Sequence, residues 1–356
     1  MGPNRRQLVT ALAWPLIGSV AVPARALEPR TLVFPRDHGA HPELRTEWWY
    51  ITGHASAGER MFGFQVTFFR TRVDVAQAIQ SRFAARQLVF AHAAITDLAG
   101  RRLWHDQRIA RAGFGIAEAA EDDTRVQLRD WSLRRRADGR YLARLGGEEF
   151  AIELDFMPTQ PLLLQGEAGL SRKGPDPRQA SYYYSQPQLQ ASGQLRVGEQ
   201  RFDVTGRGWL DHEWSEELLH PEAVGWDWIG MNLDDGSALT AFRLRRADGS
   251  TVWDGGSFRA AGGVARAFAA GQTRFTPRES WTSPASGARY PVRWQIECPA
   301  GRFEVRALMP TQELDSRAST GAVYWEGLSE LLDAHGSHMG LGYLEMTGYA
   351  QPLRLN

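Results

Sequence analysis

The stretch that decides the fold is Gly206-Arg-Gly-Trp-Leu-Asp-His-Glu-Trp214, with Gly225-Trp-Asp-Trp228 shortly after it. Both parts are echoed elsewhere in the chain. Gly206-x-Gly-Trp-Leu-Asp211 matches Gly340-x-Gly-Tyr-Leu-Glu345, and Trp226 and Trp228 match Trp48 and Tyr50 at a constant offset. Because internal similarity at a fixed spacing is the usual mark of a repeat, the two echoes indicate a duplicated unit. Chance similarity between two hairpins is the alternative.

At that offset the two hairpins align without a gap, so that Phe64 falls on Phe242. The rest of the chain consists of short strands separated by turn signals such as Asp248-Gly249 and Gly255-Gly256, and only 74–87 carries a helical pattern. This spacing is typical of sandwiches and barrels. We predict an all-β protein of two tandem up-and-down β-barrels with few short helices, in which a barrel interior can hold an apolar ligand.

The N-terminus predicts export. Residues 1–26 contain an arginine pair, an apolar run and the small-residue cleavage site Ala24-Arg25-Ala26, so we expect a cleaved signal peptide and a periplasmic or secreted protein. The arginine pair favours twin-arginine export, and Sec export stays open. The two domains are expected at 27–216 and 217–356.

Composition argues against several classes of function. The chain is 43% hydrophobic with balanced charges, which fits a soluble globular protein and not a nucleic-acid-binding one. Beyond the leader, no apolar run is long enough to span a bilayer. Cys298 is the only cysteine, so no intrachain disulfide is expected. Lys173, the only lysine, lies in a loop without a phosphate cradle, which argues against a P-loop or Schiff-base role.

Two catalytic arrangements are also weak in this sequence. No G-x-S-x-G nucleophile elbow occurs. His335 and His338 lack a supporting ligand at a suitable spacing, so no metal site is predicted.

Side chains of an extended strand alternate between its faces. Residues 209–214 therefore divide into Trp209, Asp211 and Glu213 on one face and Leu210, His212 and Trp214 on the other. Two carboxyl groups beside aromatic rings can have a pKa raised by burial and mutual repulsion, which makes a general acid near neutral pH. The alternative is structural: the acids bond Arg207 or the domain seam, and the histidine is buried at an interface.

The aromatic runs are candidate pocket walls. Trp48 and Tyr50 share a face, as do Trp226 and Trp228, and we expect at least one pair to line a pocket. The alternative is that they are core aromatics, with Glu47 an edge residue.

Six segments together resemble the secreted tandem lipocalin-like family that includes the carotenoid 1,2-hydratases (hydroxyneurosporene synthases) and exported proteins labelled predicted hydrolases. They are Glu47-Trp-Trp-Tyr-Ile-Thr-Gly53, Phe62-Gly-Phe-Gln-Val-Thr-Phe-Phe69, Ala91-His-Ala-Ala-Ile-Thr-Asp97, Ser181-Tyr-Tyr-Tyr-Ser185, Gly206-x-Gly-Trp-Leu-Asp-His-Glu-Trp214 and Gly342-Tyr-Leu-Glu-Met-Thr-Gly348. The resemblance implies two lipocalin-like barrels, a hydrophobic pocket and, in some members, protonation of a C=C bond followed by capture of the cation by water.

Carried onto this chain, the resemblance names Asp211, His212 and Glu213 as catalytic candidates. The ligand-binding candidates are Glu47, Trp48, Tyr50, Tyr183, Trp214, Trp226 and Trp228. No cofactor or metal is expected. The hairpin at 238–244 carries no acid between its apolar positions, so a hydratase that needs one there would be disabled.

The favoured hypothesis is an exported hydratase or isomerase that binds a hydrophobic small molecule, an isoprenoid or polyene. One alternative is a non-catalytic periplasmic carrier of a lipophilic ligand that serves an envelope transporter. The other is a secreted hydrolase of unknown substrate.

Overall fold

The computed structural model describes residues 26–353, so the predicted signal peptide lies outside the described residues apart from its last position. Nearly all regular structure is β-strand, in two antiparallel sheets. The helical pattern over 74–87 yields only α1 (Asp74–Gln77), and Arg36–His38 form a 3-10 turn. No helix within 26–353 has the length and apolar character needed to cross a membrane.

The first sheet contains 13 strands. In chain order they are β1 (Thr46–Ala57), β2 (Arg60–Arg72), β3 (Gln87–Asp97), β4 (Arg102–Arg111), β5 (Ala117–Ala119), β6 (Arg125–Leu128), β7 (Trp131–Arg135), β8 (Tyr141–Gly146), β9 (Phe150–Met157), β10 (Leu163–Leu164), β11 (Leu170–Arg172), β12 (Ala180–Val197) and β13 (Gln200–Ser215). The spatial order is β4-β3-β2-β1-β13-β12-β9-β8-β7-β6-β5, with β10 and β11 against β12. The sheet curls until β3 and β4 approach β5 and β6, which makes a nearly closed barrel.

The second sheet contains 10 strands. They are β14 (Gly225–Leu233), β15 (Ala238–Arg245), β16 (Thr251–Arg259), β17 (Arg266–Phe268), β18 (Arg274–Thr282), β19 (Arg289–Cys298), β20 (Gly301–Ala307), β21 (Glu313–Ser316), β22 (Ala322–Leu332) and β23 (His338–Met346). The spatial order is β17-β16-β15-β14-β23-β22-β20-β19-β18, with β21 against β22. The prediction of an all-β fold with two tandem lipocalin-like barrels is confirmed.

The ungapped alignment of the two hairpins is wrong beyond their first strands. Ile51 pairs with Val66 but Ile229 pairs with Ala241, so the second hairpin is three residues shorter. As a result Phe64 packs inside the first barrel, whereas Phe242 lies on the outer face of the second sheet.

The predicted turn at Gly255-Gly256 is also wrong, because both residues lie within β16. A Cβ atom on Gly255 would lie 2.9 Å from the ring of Phe242. Glycine is therefore required there by a close side-chain approach and not by chain reversal.

Each barrel has its own packed core, and a third apolar cluster lies between them. The alternation along β1 sends Trp49 and Ile51 into the first core, while Tyr50 belongs to the cluster shared with Trp228 and Tyr343 of the second sheet. The two barrels thus meet through the outer faces of β1 and β13 on one side and of β14 and β23 on the other. Any space left at this seam is bounded by both halves of the chain.

Candidate active site

A cavity of about 300 Å³ lies between the two sheets. Most of its wall is apolar or aromatic, and the rings come from both sheets: Trp48, Tyr50, Phe69, Phe90, Tyr183, Trp226, Trp228, Phe242 and Tyr324. The expectation of a ligand site inside a barrel does not hold for this cavity. The inward positions of the first barrel are filled by large buried side chains such as Trp49, Trp131 and Trp214, which pack its interior.

The position of Trp228 on this wall depends on a glycine that leaves room for its ring. Its ring lies over Gly230, where an added Cβ atom would overlap it, and crosses the ring of Trp209 at 6.3 Å between centroids. The indole also donates to the hydroxyl of Tyr183 at 3.3 Å. These contacts fix one aromatic wall of the cavity.

Asp211 reaches the cavity from β13, where it lies opposite Tyr50 of β1 and Ser185 of β12. Its carboxylate accepts hydrogen bonds from Ser185 at 2.5 Å, from Tyr183 at 2.7 Å and from the indole of Trp209 at 2.8 Å. Burial raises the pKa of Asp211 to about 7, against the opposing effect of these three donors. The group can therefore hold or release a proton near neutral pH.

Two further acids in the cavity wall were missed by the sequence analysis. Glu345 of β23 and Glu326 of β22 lie directly opposite each other on one sheet face. Burial and the neighbouring Glu345 carboxyl raise the pKa of Glu326 well above its ordinary value, and burial raises that of Glu345 to about 7. The second sheet does present acids to the cavity, from β22 and β23 and not from the hairpin at 238–244.

Both acids had a signal in the sequence. Glu345 ends the echo of Gly206–Asp211, and the structure pairs it with Trp228 as Asp211 is paired with Tyr50. Glu326 shares a strand face with Tyr324 two residues earlier, and both line the cavity.

Several buried polar atoms around the acids lack a partner. Gln65 of β2 donates to Oε2 of Glu326 at 2.8 Å and to the hydroxyl of Tyr324 at 3.0 Å. Within residues 26–353, however, no hydrogen-bond partner meets Oε1 of Gln65, and Oε1 of Glu326 and the hydroxyl of Tyr50 are neighbours without a well-formed hydrogen bond. Because buried polar groups are normally paired, this part of the wall suits a polar atom of a ligand or a water molecule.

A histidine and a serine form a second polar group on the cavity wall. His92 of β3 has Nδ1 2.8 Å from the hydroxyl of Tyr324 and Nε2 2.9 Å from Oγ of Ser319. Burial, with a smaller contribution from the charge of His105, lowers the pKa of His92 to about 3. The imidazole is therefore neutral at physiological pH, and it is a weak base.

Glu213 also lines the cavity, beside the chain's only lysine. Nζ of Lys173 lies 2.8 Å from Oε1 of Glu213, which accepts a further hydrogen bond from Ser181. The sequence predicts a loop position for Lys173 with no functional role. The segment between β11 and β12 instead folds over the sheet and buries the ammonium in the cavity wall.

Glu47, His212 and Trp214 do not line this cavity, in contrast to their prediction as site residues. Strand alternation turns them toward the first barrel. There the carboxylate of Glu47 is bonded by His212 at 2.9 Å, by Nδ1 of His41 at 2.8 Å and by Arg70 at 2.8 Å. Trp214 stacks on His41 with 4.0 Å between ring centroids. These residues build the barrel that supports the site.

Hydrogen bonds, neighbouring charges and burial together determine which groups of this inner network are ionised. Burial alone would raise the pKa of Glu47, but bonds from His212 and His41 and the charge of Arg70 outweigh it and hold that pKa well below its usual range. Burial lowers the pKa of His212 to about 4, so its neutral ring acts as a donor to Glu47.

The same network contains the one group of three potential metal ligands in the described part of the chain, His41, Glu47 and His212. Both oxygens of Glu47 are already taken, Oε1 by the two histidines and Oε2 by Arg70 and the backbone N–H of His41. A bound cation would have to displace these donors, and the guanidinium beside it would repel it. The arrangement is that of a buried ion-pair network.

Of the predicted site residues, the structure therefore brings Asp211, Glu213, Trp48, Tyr50, Tyr183, Trp226 and Trp228 to one cavity. The chemical roles given to them stay predictions.

Comparison with known proteins agrees with this architecture. The AttH-like family model matches residues 25–349. A solved structure from Nitrosomonas europaea, named only as a candidate AttH, is 47% identical and covers 92% of this chain and 99% of its own, with a TM-score of 0.85. No curated protein matches the sequence.

More distant structures share the fold. Kievitone hydratase from Nectria haematococca is 13% identical, with coverage of 90% of this chain and 94% of its own and a TM-score of 0.70. CghA is 14% identical, with coverage of 92% and 95% and a TM-score of 0.55. The predicted resemblance to a tandem lipocalin-like family is confirmed, and the chain belongs to the AttH-like family.

Proposed function

We propose that this protein is an exported enzyme that adds water to, or moves, a double bond of a mostly apolar small molecule held between its two barrels. An isoprenoid or polyene is the substrate class in view. The observation that carries the proposal is the set of three carboxyl groups with raised pKa values, Asp211, Glu326 and Glu345, in an aromatic cavity. Perturbed acids gathered in one cleft are a usual mark of an acid–base site.

The chemistry follows from the proton affinities of these groups. Glu326 and Glu345 are close enough that ionisation of one opposes ionisation of the other, so the pair holds a proton at neutral pH. That proton can be transferred to one carbon of a C=C bond, which leaves positive charge on the other carbon. The π faces of neighbouring rings stabilise such a cation. Water then adds to it and returns a proton to the carboxylate, or loss of a neighbouring proton gives the isomer.

Asp211 has a different environment and a different proposed part. Its three donors hold the carboxylate in one orientation, so it suits positioning of a water molecule or a proton-accepting role more than proton donation. In this proposal Glu345 and Glu326 donate the proton, a role for which the sequence pattern favours the carboxyl groups of Asp211 and Glu213. His212 has no part in it, because it lies in the first barrel.

The distant structural neighbours include one that bears on this choice of reaction class. One of them is named as a hydratase and shares the two-barrel fold. At 13% identity that likeness establishes the fold alone, so the reaction is carried to this chain only as part of the proposal.

A hydrolase is the second candidate, because Ser319 lies 2.9 Å from His92 on the cavity wall. The lowered pKa of His92 and the hydroxyl, instead of a carboxylate, at its other nitrogen both weaken it as a base for serine. Ser319→Ala should therefore leave turnover intact. Loss of turnover in this variant would favour the hydrolase.

The test starts from native mass spectrometry of the protein purified from its own host, with mass analysis of the extracted small molecules. Two species that differ by one water identify substrate and product. Turnover of that compound should be lost in Glu345→Gln and Glu326→Gln, since glutamine keeps the shape but carries no transferable proton. The exposed Glu279→Gln is the matched control.

If both cavity variants turn over normally, the assignment of these acids is wrong. A single bound species that no assay converts would instead favour the carrier, for which only the aromatic walls matter.

A further inference from the structure

Lys173 is the only lysine among the 41 lysine and arginine residues of the chain, and it is buried in the cavity wall. Its ammonium lies between two aromatic rings, with Nζ 4.2 Å from the ring centroid of Phe242 and 4.9 Å from that of Tyr183. Glu213 is its carboxylate partner at 2.8 Å. The rings come from different sheets, so the ammonium sits where the two halves of the wall meet.

A lysine suits this place for physical reasons. An ammonium is compact and carries three N–H donors, whereas a guanidinium is planar and wider. Glu213 accepts from one side, and the ring faces attract the charge without using a hydrogen-bond acceptor. Since Lys173 lines the cavity, donor capacity remains for a group that enters it.

We propose that Lys173 binds the anionic oxygen, a carboxylate, phenolate or enolate, of a ligand whose remaining body is apolar. The inference deepens the proposed function by naming one end of its substrate, and it rests on that function only for the choice of cavity. Lys173 would set specificity and position the ligand by holding its anionic oxygen. Glu213 would hold the ammonium in place and weaken anion binding by its own charge.

Two fluorescent probes with one shared skeleton test this directly. 1-Anilinonaphthalene-8-sulfonate is anionic, and N-phenyl-1-naphthylamine is the same framework without the sulfonate. Lys173→Met keeps an unbranched side chain, shorter by one atom, and removes its charge. It should weaken binding of the sulfonate by roughly tenfold to a hundredfold, the worth of a charge-assisted hydrogen bond, and leave the neutral probe unchanged.

The partner variant has the opposite expected sign. Glu213→Gln removes the competing negative charge and keeps the ammonium, so it should strengthen binding of the sulfonate and not of the neutral probe. A purely structural ion pair predicts weaker binding of both probes in both variants, because losing either partner would disturb the wall. Weaker binding of both probes in both variants would overturn the proposal. So would an unchanged sulfonate affinity in Lys173→Met, or no saturable sulfonate binding by the wild type.

The single lysine also allows a test that needs no mutation. Protein grown with lysine labelled with ¹⁵N at Nζ has one labelled side chain, so its nitrogen resonance belongs to Lys173 without further assignment. The resonance should shift on addition of the sulfonate and stay in place with the neutral probe. Equal responses to the two probes would refute contact with the anion. Both experiments measure binding alone, so they stand or fall separately from the turnover assays.

Discussion

Replacing Asp211 by asparagine should change how the stability of the protein depends on pH. Burial raises the pKa of this carboxyl from 3.8 to about 7, so the folded state binds the proton more tightly than the unfolded chain does. The stability that comes from the protonated group is fully present below about pH 4 and is lost as the pH rises through about 7. At pH values above both pKa values the loss amounts to roughly 4 kcal/mol, since each unit of pKa difference corresponds to about 1.4 kcal/mol.

Asparagine cannot ionise, so Asp211→Asn escapes this loss. We expect the free energy of unfolding of the variant, relative to wild type, to rise by about 2–4 kcal/mol between pH 4 and pH 8. Urea unfolding followed by tryptophan fluorescence at a series of pH values measures this difference. Any constant effect of the amide on its hydrogen bonds cancels, because only the slope matters.

The exposed Asp122→Asn is the matched control and should show no such slope. A difference between Asp211→Asn and wild type that stays flat, or that falls with rising pH, would refute the reasoning. It would mean that the three donors around the carboxylate outweigh its burial.

Three further changes have expected outcomes. Glu47→Gln should lower the free energy of unfolding, measured in urea, by about 3–5 kcal/mol, because it leaves Arg70 without its buried counter-charge. The exposed Glu149→Gln is the control and should have little effect. Equal free energies of unfolding for the two variants would contradict the role of the network. Trp228→Ala should weaken binding of N-phenyl-1-naphthylamine by roughly tenfold or more, since it removes an aromatic wall, and unchanged fluorescence titration would place the probe elsewhere. Gly230→Ala should weaken binding of the same probe, because the added methyl group displaces the Trp228 indole. An unchanged affinity would contradict the geometry of this wall.

Strand alternation predicted the part of the site that depends on local geometry. It placed Asp211 and Glu213 together on one face, and both line the cavity. The same rule puts Glu47 with Trp49 and not with Trp48, so its prediction as a pocket residue came from its place in an aromatic motif and not from the strand. Motif membership does not distinguish the two faces of a strand.

The rest depended on tertiary structure. Lys173 lies in a loop, and no periodicity tells which way a loop folds. The cavity itself arises from the docking of two outer faces, whereas composition and strand count describe each barrel alone. The three-residue difference between the hairpins was hidden because the residues on both faces of β15, such as Ala241 and Phe242, are apolar and so fit either register.

The pairing of Asp211 with Tyr50 in the first sheet and of Glu345 with Trp228 in the second has an evolutionary consequence. A symmetric dimer of one ancestral barrel would present the same acid twice, with the same proton affinity, on either side of its axis. Fusion of the two copies into one gene frees each acid to vary alone. In this chain the first carboxyl is surrounded by hydroxyl and indole donors, and the second has another glutamate beside it. Two halves joined in one chain can therefore give corresponding carboxyls different proton affinities, which the identical subunits of a homodimer cannot do.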